Sequence, residues 1–258
     1  MKINLGAGPN WEYNDWHILD HKIKKNNKQR IKGDLNNINL KNNSCDLVFI
    51  SHTLEHIPHI QIQKVLSEIN RIMKFGATIR LLVPNLEAVA KAYVKKDKNF
   101  FKKAIDEDHS IRTDLGFGGM MMNFIVSPGQ DTVLLNRNLN KFIAGYAHLY
   151  SYDFDMMKKL LHMTGFGEIK RKNFCKSEIK DFQIPCHIKG LKPKYNNLNN
   201  KFYKKNNLIH EYKNGKYNIN FKFTGFDKDP VTSLIIEAKK KKYIKINKSN
   251  DLNFSGKN

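Results

Sequence analysis

The chain has 258 residues, of which 40% are hydrophobic and 27% are charged. This balance supports a packed core and excludes wholesale disorder. Lys and Arg outnumber Asp and Glu by 45 to 24, so the formal net charge is +21, a surface that attracts phosphate, nucleic acid or anionic lipid. Stretches rich in Lys and Asn, such as KYNNLNNKFYKKNN, also fit a compositional bias. The charge alone therefore does not identify a partner.

The cysteines and the apolar segments indicate a compartment. Cys45, Cys175 and Cys186 are widely spaced and form no CxxC pair, which favours a reducing environment. No apolar run reaches the roughly 18 residues of a membrane span, and the first residues, MKINLGAGPN, lack a signal-peptide core. The ten histidines show no metal-ligand spacing. We therefore expect a cytoplasmic protein with no metal and no transmembrane segment.

Short apolar segments in the first third of the chain predict β-strands. The last two are of the kind that is buried on both faces of a parallel sheet. Between them, residues 58–74 have helical spacing of apolar residues and are followed by Phe75-Gly76, a helix stop signal. Strand, crossover helix and strand in this order predict a doubly wound α/β domain. The predicted strands are Lys2–Leu5, Trp16–Asp20, Arg30–Leu35, Asp46–Ser51 and Thr78–Val83.

The rest of the chain is less regular. Residues 86–104 are predicted to be helical, and residues 116–130, rich in Gly and Met, suit a mobile cover. A further helix is predicted over residues 152–163, begun by Asp153 and stopped by Gly165. Strands are predicted at Glu168–Phe174 and Ser233–Lys239, separated by a polar, Asn-rich insertion at residues 176–229.

Glycines and polar residues follow four of the predicted strands. Gly6-Ala7-Gly8 follows the first strand, where glycines let the backbone turn tightly and approach a ligand. The third glycine of the dinucleotide fingerprint is missing, because Trp11 stands at that offset, which disfavours a nicotinamide cofactor. Asp20 and Asp34 come after the second and third strands, and Ser51 to Ile57 after the fourth. Because ligands bind outside the carboxyl ends of strands in such sheets, these groups are expected to converge there.

These segments resemble a known family. They are similar to the motifs LNLGCG, GWxNxD, SFDxIxxxHVLEHI and LKPGGxLRIxVPDLE of class I S-adenosylmethionine-dependent methyltransferases, in the type 11-like branch with the LEHI motif. In this chain the corresponding segments are INLGAG (3–8), WHILD (16–20), SCDLVFISHTLEHI (44–57) and MKFGATIRLLVPNLE (73–87). Differences such as Ala7 for Cys and Phe75 for Pro remove no group that holds the cofactor.

The resemblance implies a Rossmann-like, mostly parallel seven-stranded sheet that ends in an antiparallel hairpin, and S-adenosyl-L-methionine as cofactor. It also implies a role for each matching residue: Gly6, Ala7 and Gly8 pass the methionine part, Asp20 holds the ribose, Asp34 and Leu35 border the adenine, and Ser51, His52, Thr53 and Leu54 line the donor methyl. We divide the chain into a cofactor-binding half (1–94), a lid or substrate-cover segment (95–145), the last helix and strands with the insertion (146–239), and a basic flexible tail (240–258).

The expected reaction is in-line displacement at the sulfonium methyl, governed by positioning and desolvation. A hydroxyl or amine acceptor needs a base, and an imidazole suits this task. His52, His109 and His148 are the candidates, whereas His56 is assigned a packing role.

The family branch favours a small-molecule or saccharide acceptor. Two alternatives stay open. One is an RNA methyltransferase, for which Lys201–Lys205 and Tyr212–Tyr217 interleave aromatic and basic residues. The other is a cofactor-binding module, not an enzyme, whose basic surface holds nucleic acid or an anionic membrane.

Overall fold

Seven strands form one mixed sheet that positions every other element. The structure, a computed structural model, describes residues 1–8, 11–107, 114–126, 147–186, 209–211, 217–219 and 225–244. The strands are β1 (Lys2–Leu5), β2 (Trp16–Asp20), β3 (Arg30–Lys32), β4 (Cys45–Ser51), β5 (Met73–Pro84), β6 (Phe166–Lys172), β7 (Ile209–Glu211), β8 (Tyr217–Ile219) and β9 (Ser233–Lys240). The helices are α1 (Ile62–Ile72), α2 (Leu86–Lys95), α3 (Lys98–Glu107), α4 (Gly116–Val126) and α5 (Phe154–Met163).

The strand order of the sheet is β3-β2-β1-β4-β5-β9-β6, while β7 and β8 pair in a separate hairpin. The first five strands are parallel, and β9 runs antiparallel to both of its neighbours. The predicted doubly wound, mostly parallel sheet with an antiparallel late strand is confirmed, as is the pairing of the two C-terminal strands. The chain order reverses between β1 and β4, which is where α/β sheets open a crevice.

The two faces of the sheet are covered in different ways. On β5, Ile79 and Leu81 face a core built with α1 and α5, and the alternate residue Leu82 faces the other side. That other side is filled by aromatic rings from loops and strands. Phe226, from the predicted insertion, is central, with its ring centroid 4.8 Å from that of Trp16 and 5.0 Å from that of Phe49. The end of the insertion is therefore part of the core.

A buried ion pair fastens this region to the sheet. Arg80 of β5 is fully buried, and its Nε and Nη2 donate to Asp227 at 2.7 and 2.5 Å. Its Nη1 donates to Glu237 of β9 at 2.6 Å. Asp227 also accepts from the backbone N–H of Cys175 at 2.6 Å. Because both ends of the insertion meet at Asp227, Arg80 holds them to the centre of the sheet.

Two predicted helix boundaries are wrong. Helix α1 ends at Ile72, not at Phe75-Gly76, because Met73 is already extended and pairs with Cys45 of β4. The predicted helix over residues 86–104 is two helices. Lys96 takes a left-handed conformation (φ +51°) and ends α2, and the Asp97 carboxylate then accepts from the N–H of Phe100 as α3 begins.

The predicted tail also begins too early. Lys240 is the last residue of β9 and is buried, with its Nζ donating to the carbonyl of Met73 and to Asn43 Oδ1, both at 2.8 Å. Residues 245–258 lie outside the described part of the chain. Of the helices that the structure describes, none has the length and apolar character needed to cross a membrane.

Candidate functional site

A pocket of about 400 Å³ opens at the carboxyl ends of four adjacent strands, β3, β2, β1 and β4. This volume lies within the range of small-molecule sites, about 300–1,000 Å³. Each strand contributes the residues that directly follow it, as the position of the topological switch requires. The lining residues are Gly6, Leu19, Asp20, His21, Gly33, Asp34, Leu35, Asn36, Thr53, His56, Ile57, Pro58 and Gln61.

The Asp20 carboxylate is held in one orientation by backbone amides. Oδ2 accepts from the N–H of Gly8 at 2.8 Å and Oδ1 accepts from the N–H of Lys22 at 2.7 Å. The residue is only 6% exposed. Each carboxylate oxygen has a second lone pair, so the group retains acceptor capacity toward a ligand hydroxyl.

Gly6 brings the loop after β1 against the segment after β4. Its φ is +69°, and a Cβ at this position would lie 2.4 Å from Thr53 Cγ2. A side chain is therefore excluded on both conformational and steric grounds. The close approach of these two loops forms the inner end of the pocket.

The outer end of the pocket is shaped by the turn after β3. Asp34 Oδ1 accepts from the N–H of Asn36 at 2.7 Å, which orders the turn. Asn36 in turn donates its side-chain amide to Gln61 Oε1 at 3.1 Å, joining the two sides of the opening. Between them, Leu19, Leu35 and Ile57 supply an apolar wall.

The structure brings together part of the predicted site. Gly6, Asp20, Asp34 and Leu35 line the pocket, whereas Ala7 and Gly8 lie beside it, and Gly8 acts through its bond to Asp20. Among Ser51, His52, Thr53 and Leu54, Thr53 lines the pocket, and neither Ser51 nor His52 is part of its wall. The Leu54 side chain is fully buried in the core shared with α1.

Close to Thr53 in the chain, three histidines surround one buried carboxylate. Glu55 is fully buried, and its Oε1 lies 3.2 Å from His52 Nδ1 and 4.0 Å from His148 Nε2. The rings of His56 and His148 meet edge to face, with centroids 5.1 Å apart. Burial alone would raise the pKa of the Glu55 carboxyl, but the three imidazoles outweigh this effect and lower it to about 2. Burial lowers the pKa of His148. We refer to these four residues as the histidine cluster.

The other ring nitrogen of each histidine is committed to a group outside the cluster. His56 Nδ1 donates to the carbonyl of Ala147 at 2.9 Å, and His148 Nδ1 donates to that of Phe124 at 3.1 Å. His52 Nε2 lies 2.8 Å from Ser233 Oγ, whose proton is donated to the carbonyl of Lys228. Both nitrogens of His52 and of His148 therefore face protein groups. His109, the third candidate base, lies outside the described residues.

Sequence reasoning missed two contributors to this region. Glu55 was not singled out, and His56 was assigned to packing although it lines the pocket. The signal was present in the run His52-Thr53-Leu54-Glu55-His56. A short 3₁₀ turn at Leu54–His56 buries both Leu54 and Glu55, so the apolar residue and its acidic neighbour enter the interior together.

Comparison with known proteins agrees with this geometry. Residues 17–81 match the family described as "Methyltransferase domain", and this range runs from β2 into β5 and contains most of the pocket lining. No curated protein matches the chain. Among solved structures, a SAM-dependent methyltransferase from Archaeoglobus fulgidus is similar, with 16% identity, 93% of this chain and 85% of that chain covered, and a TM-score of 0.41.

A second similar structure is an S-adenosylmethionine-dependent methyltransferase from Mesorhizobium loti, with 11% identity, coverage of 93% of this chain and 90% of that one, and a TM-score of 0.44. The family match falls on the strands and loops that build the pocket, and the strand order places that pocket at the switch point. The part of the chain that matches the methyltransferase family model is thus the part that builds most of the pocket.

Proposed function

We propose that the pocket at the ends of β1 to β4 holds S-adenosylmethionine and that the methyl group passes to a hydroxyl or amine of a small molecule or saccharide. The observation that carries the placement of the cofactor is the fixed Asp20 carboxylate, whose remaining lone pairs suit ribose hydroxyls. The apolar wall suits a flat adenine ring, and Asp34 at its edge supplies an acceptor for the amino group. The methionine part then passes Gly6, Ala7 and Gly8.

The bound cofactor supplies a methyl group that its sulfonium charge has already activated, so the task of the chain is positioning. Asp20 orients the ribose, and the contact of Gly6 with Thr53 closes the inner end of the pocket. Asp20 itself does not turn freely, because the amides of Gly8 and Lys22 hold both of its oxygens. This preorganisation lowers the entropic cost of reaching the reactive geometry.

The acceptor side is bounded by the end of α4. The carbonyls of Phe124 and Ile125 accept from His148 Nδ1 at 3.1 Å and from Ser151 Oγ at 3.4 Å. The helix also packs on α2 through a cluster containing Val89 and Phe124. Such a cover, tied to the segment that carries the histidine cluster, favours an enclosed acceptor of small size over an extended polymer.

We assign His52 and His148 to positioning, because both ring nitrogens of each face protein groups. His109 stays a prediction as the group that accepts the proton of the acceptor. His109→Ala is then expected to lower kcat at saturating acceptor at least tenfold, with His162→Ala, an exposed histidine of α5, as the matched control.

The acceptor class is tested by formation of S-adenosylhomocysteine with separate panels of saccharides, small hydroxylated and amine-bearing metabolites, and RNA. We expect turnover with a member of the small-molecule panels. Turnover with RNA alone would contradict the proposed acceptor class, and unchanged kcat in His109→Ala would remove that residue as the base.

A further inference from the structure

The histidine cluster contains a buried carboxylate with no hydrogen bond of good geometry. Neither Oε1 nor Oε2 of Glu55 makes such a bond within the described part of the chain. His52 Nδ1 lies 3.2 Å from Oε1 and pairs with it as an ion only when the ring is protonated. An ionised carboxylate that is fully buried is strongly unfavourable unless a cation or a set of donors compensates it.

The hydrogen bonds of His56 and His148 determine which nitrogen of each ring carries the proton. A carbonyl oxygen only accepts, so the bonds to Ala147 and Phe124 place the protons of His56 and His148 on Nδ1. The Nε2 atoms of these two neutral rings then carry lone pairs. One ring nitrogen of His56, one of His148 and a carboxylate oxygen of Glu55 all lie within 4.8 Å of one another, and His148 Nε2 lies 4.0 Å from Glu55 Oε1. Three electron-pair donors thus converge on one point.

From this convergence we propose that Glu55, His56 and His148 bind one divalent transition-metal ion, with Zn²⁺ as the best match to the donor set. Zn²⁺ binds imidazole nitrogen and carboxylate oxygen, commonly as three protein ligands. Histidine ligands of metals typically donate their other ring N–H to a backbone carbonyl, which is the arrangement of both rings here. The empty cluster has the outer hydrogen bonds of a metal site.

The distances between the ligand atoms determine how far the side chains of the cluster must move to bind the metal ion. A tetrahedral Zn²⁺ with bonds of about 2.1 Å holds its ligand atoms about 3.4 Å apart. Side-chain rotations that close the present separations of up to 4.8 Å by about an ångström are sufficient. Three protein ligands leave a fourth position for water or for an acceptor oxygen. Because His56 also lines the cofactor pocket, this position adjoins the site of methyl transfer.

No local sequence pattern indicates this site. The ligands are separated by 92 residues along the chain, between His56 and His148, so no short metal motif exists. The 3₁₀ turn after β4 supplies two ligands and the segment before α5 supplies the third. The fold alone brings them together.

The test is metal binding by the full chain, measured without reference to turnover. After treatment with chelator and dialysis, the protein is titrated with Co²⁺, whose visible absorption strengthens when four ligands replace water, and then with Zn²⁺ in competition. We expect one equivalent to bind per chain. Glu55→Gln keeps the shape of the side chain and His148→Ala removes one ligand, and each is expected to weaken binding at least tenfold. His162→Ala is the matched control, because it removes an exposed histidine outside the cluster.

A folded wild-type chain that binds no stoichiometric Co²⁺ or Zn²⁺ would overturn the proposal, as would binding that both cluster variants retain in full. Because the wild-type titration is decisive by itself, poor folding of a variant does not protect the proposal. The inference is independent of the acceptor class, and binding of S-adenosylhomocysteine is measured separately.

Discussion

At the scale of single residues, Gly6 and Gly8 distinguish two ways in which an added side chain would destabilise the fold: backbone strain and steric clash. Both have positive φ, but a Cβ at Gly6 meets Thr53, whereas a Cβ at Gly8 meets nothing within 4 Å. We expect Gly8→Ala to lower the free energy of unfolding by about 1–2 kcal/mol through backbone strain. Gly6→Ala adds a steric clash, so its loss is larger and extends to cofactor binding. Denaturant unfolding of the pair measures this difference, and equal losses in the two variants would contradict the steric account.

The cysteines provide a second residue-scale prediction. Burial raises the pKa of Cys175 to about 12 and that of Cys186 to about 12, and it also raises the pKa of the buried Cys45. Since the thiolate is the reactive form, all three thiols are expected to react slowly with iodoacetamide at pH 8. The folded chain is compared with the same chain in denaturant, where three thiols should be modified rapidly. Fast labelling of the folded chain would contradict the burial of the three thiols.

The positions of Asp20 and Asp34 could be predicted from the sequence because carboxylates at strand ends face a common edge, and both line the pocket. Their roles in binding the cofactor stay predictions. The same reasoning placed Leu54 at the site, but in a 3₁₀ turn the direction of each side chain depends on local backbone angles, and Leu54 enters the core. Glu55 was missed because nothing in its neighbours reveals that a later segment brings His148 against it.

At the scale of elements, Arg80 connects β5 to the end of the insertion through its ion pair with Asp227. Asp227→Asn removes the charge that faces its guanidinium and leaves Arg80 with Glu237 alone. Because the charge of the buried guanidinium is then only partly compensated, we expect a loss of up to about 3–5 kcal/mol in the free energy of unfolding. The control is Lys91→Ala, which breaks an exposed pair with Glu87 on α2 and should cost about 0.5 kcal/mol or less.

Denaturant unfolding monitored by circular dichroism compares these two variants with the wild type. A loss in Asp227→Asn no larger than that in Lys91→Ala would contradict the role of the pair. Residues 176–229 were predicted as an insertion because their polar, Asn-rich sequence has no period. Phe226 and Asp227 show why periodicity failed there, since these two described residues contact the sheet from outside any helix or strand.

At the scale of the whole molecule, the order of apolar segments and turns was enough to predict the sheet. Buried apolar runs such as Cys45–Ser51 are readily predicted as strands of a parallel sheet. The rule that crossover connections are right-handed then limits how these strands can be arranged. The order of segments did not allow a prediction of which residues cover the second face of the sheet. Trp11 and Trp16 lie near the start of the chain and Phe182 and Phe226 far along it, and which aromatic rings meet depends on the final packing.

The central claim is that Asp20 anchors an S-adenosylmethionine-type ligand in the pocket at the ends of β1 to β4. The most direct measurement is calorimetric titration of S-adenosylhomocysteine into the wild type, Asp20→Ala and the control Asp15→Ala, which removes an exposed carboxylate paired with Lys2. The account predicts micromolar binding by the wild type and the control, weakened at least tenfold in Asp20→Ala, about 1.4 kcal/mol. No binding by the folded wild type, or equal binding by all three proteins, would contradict it.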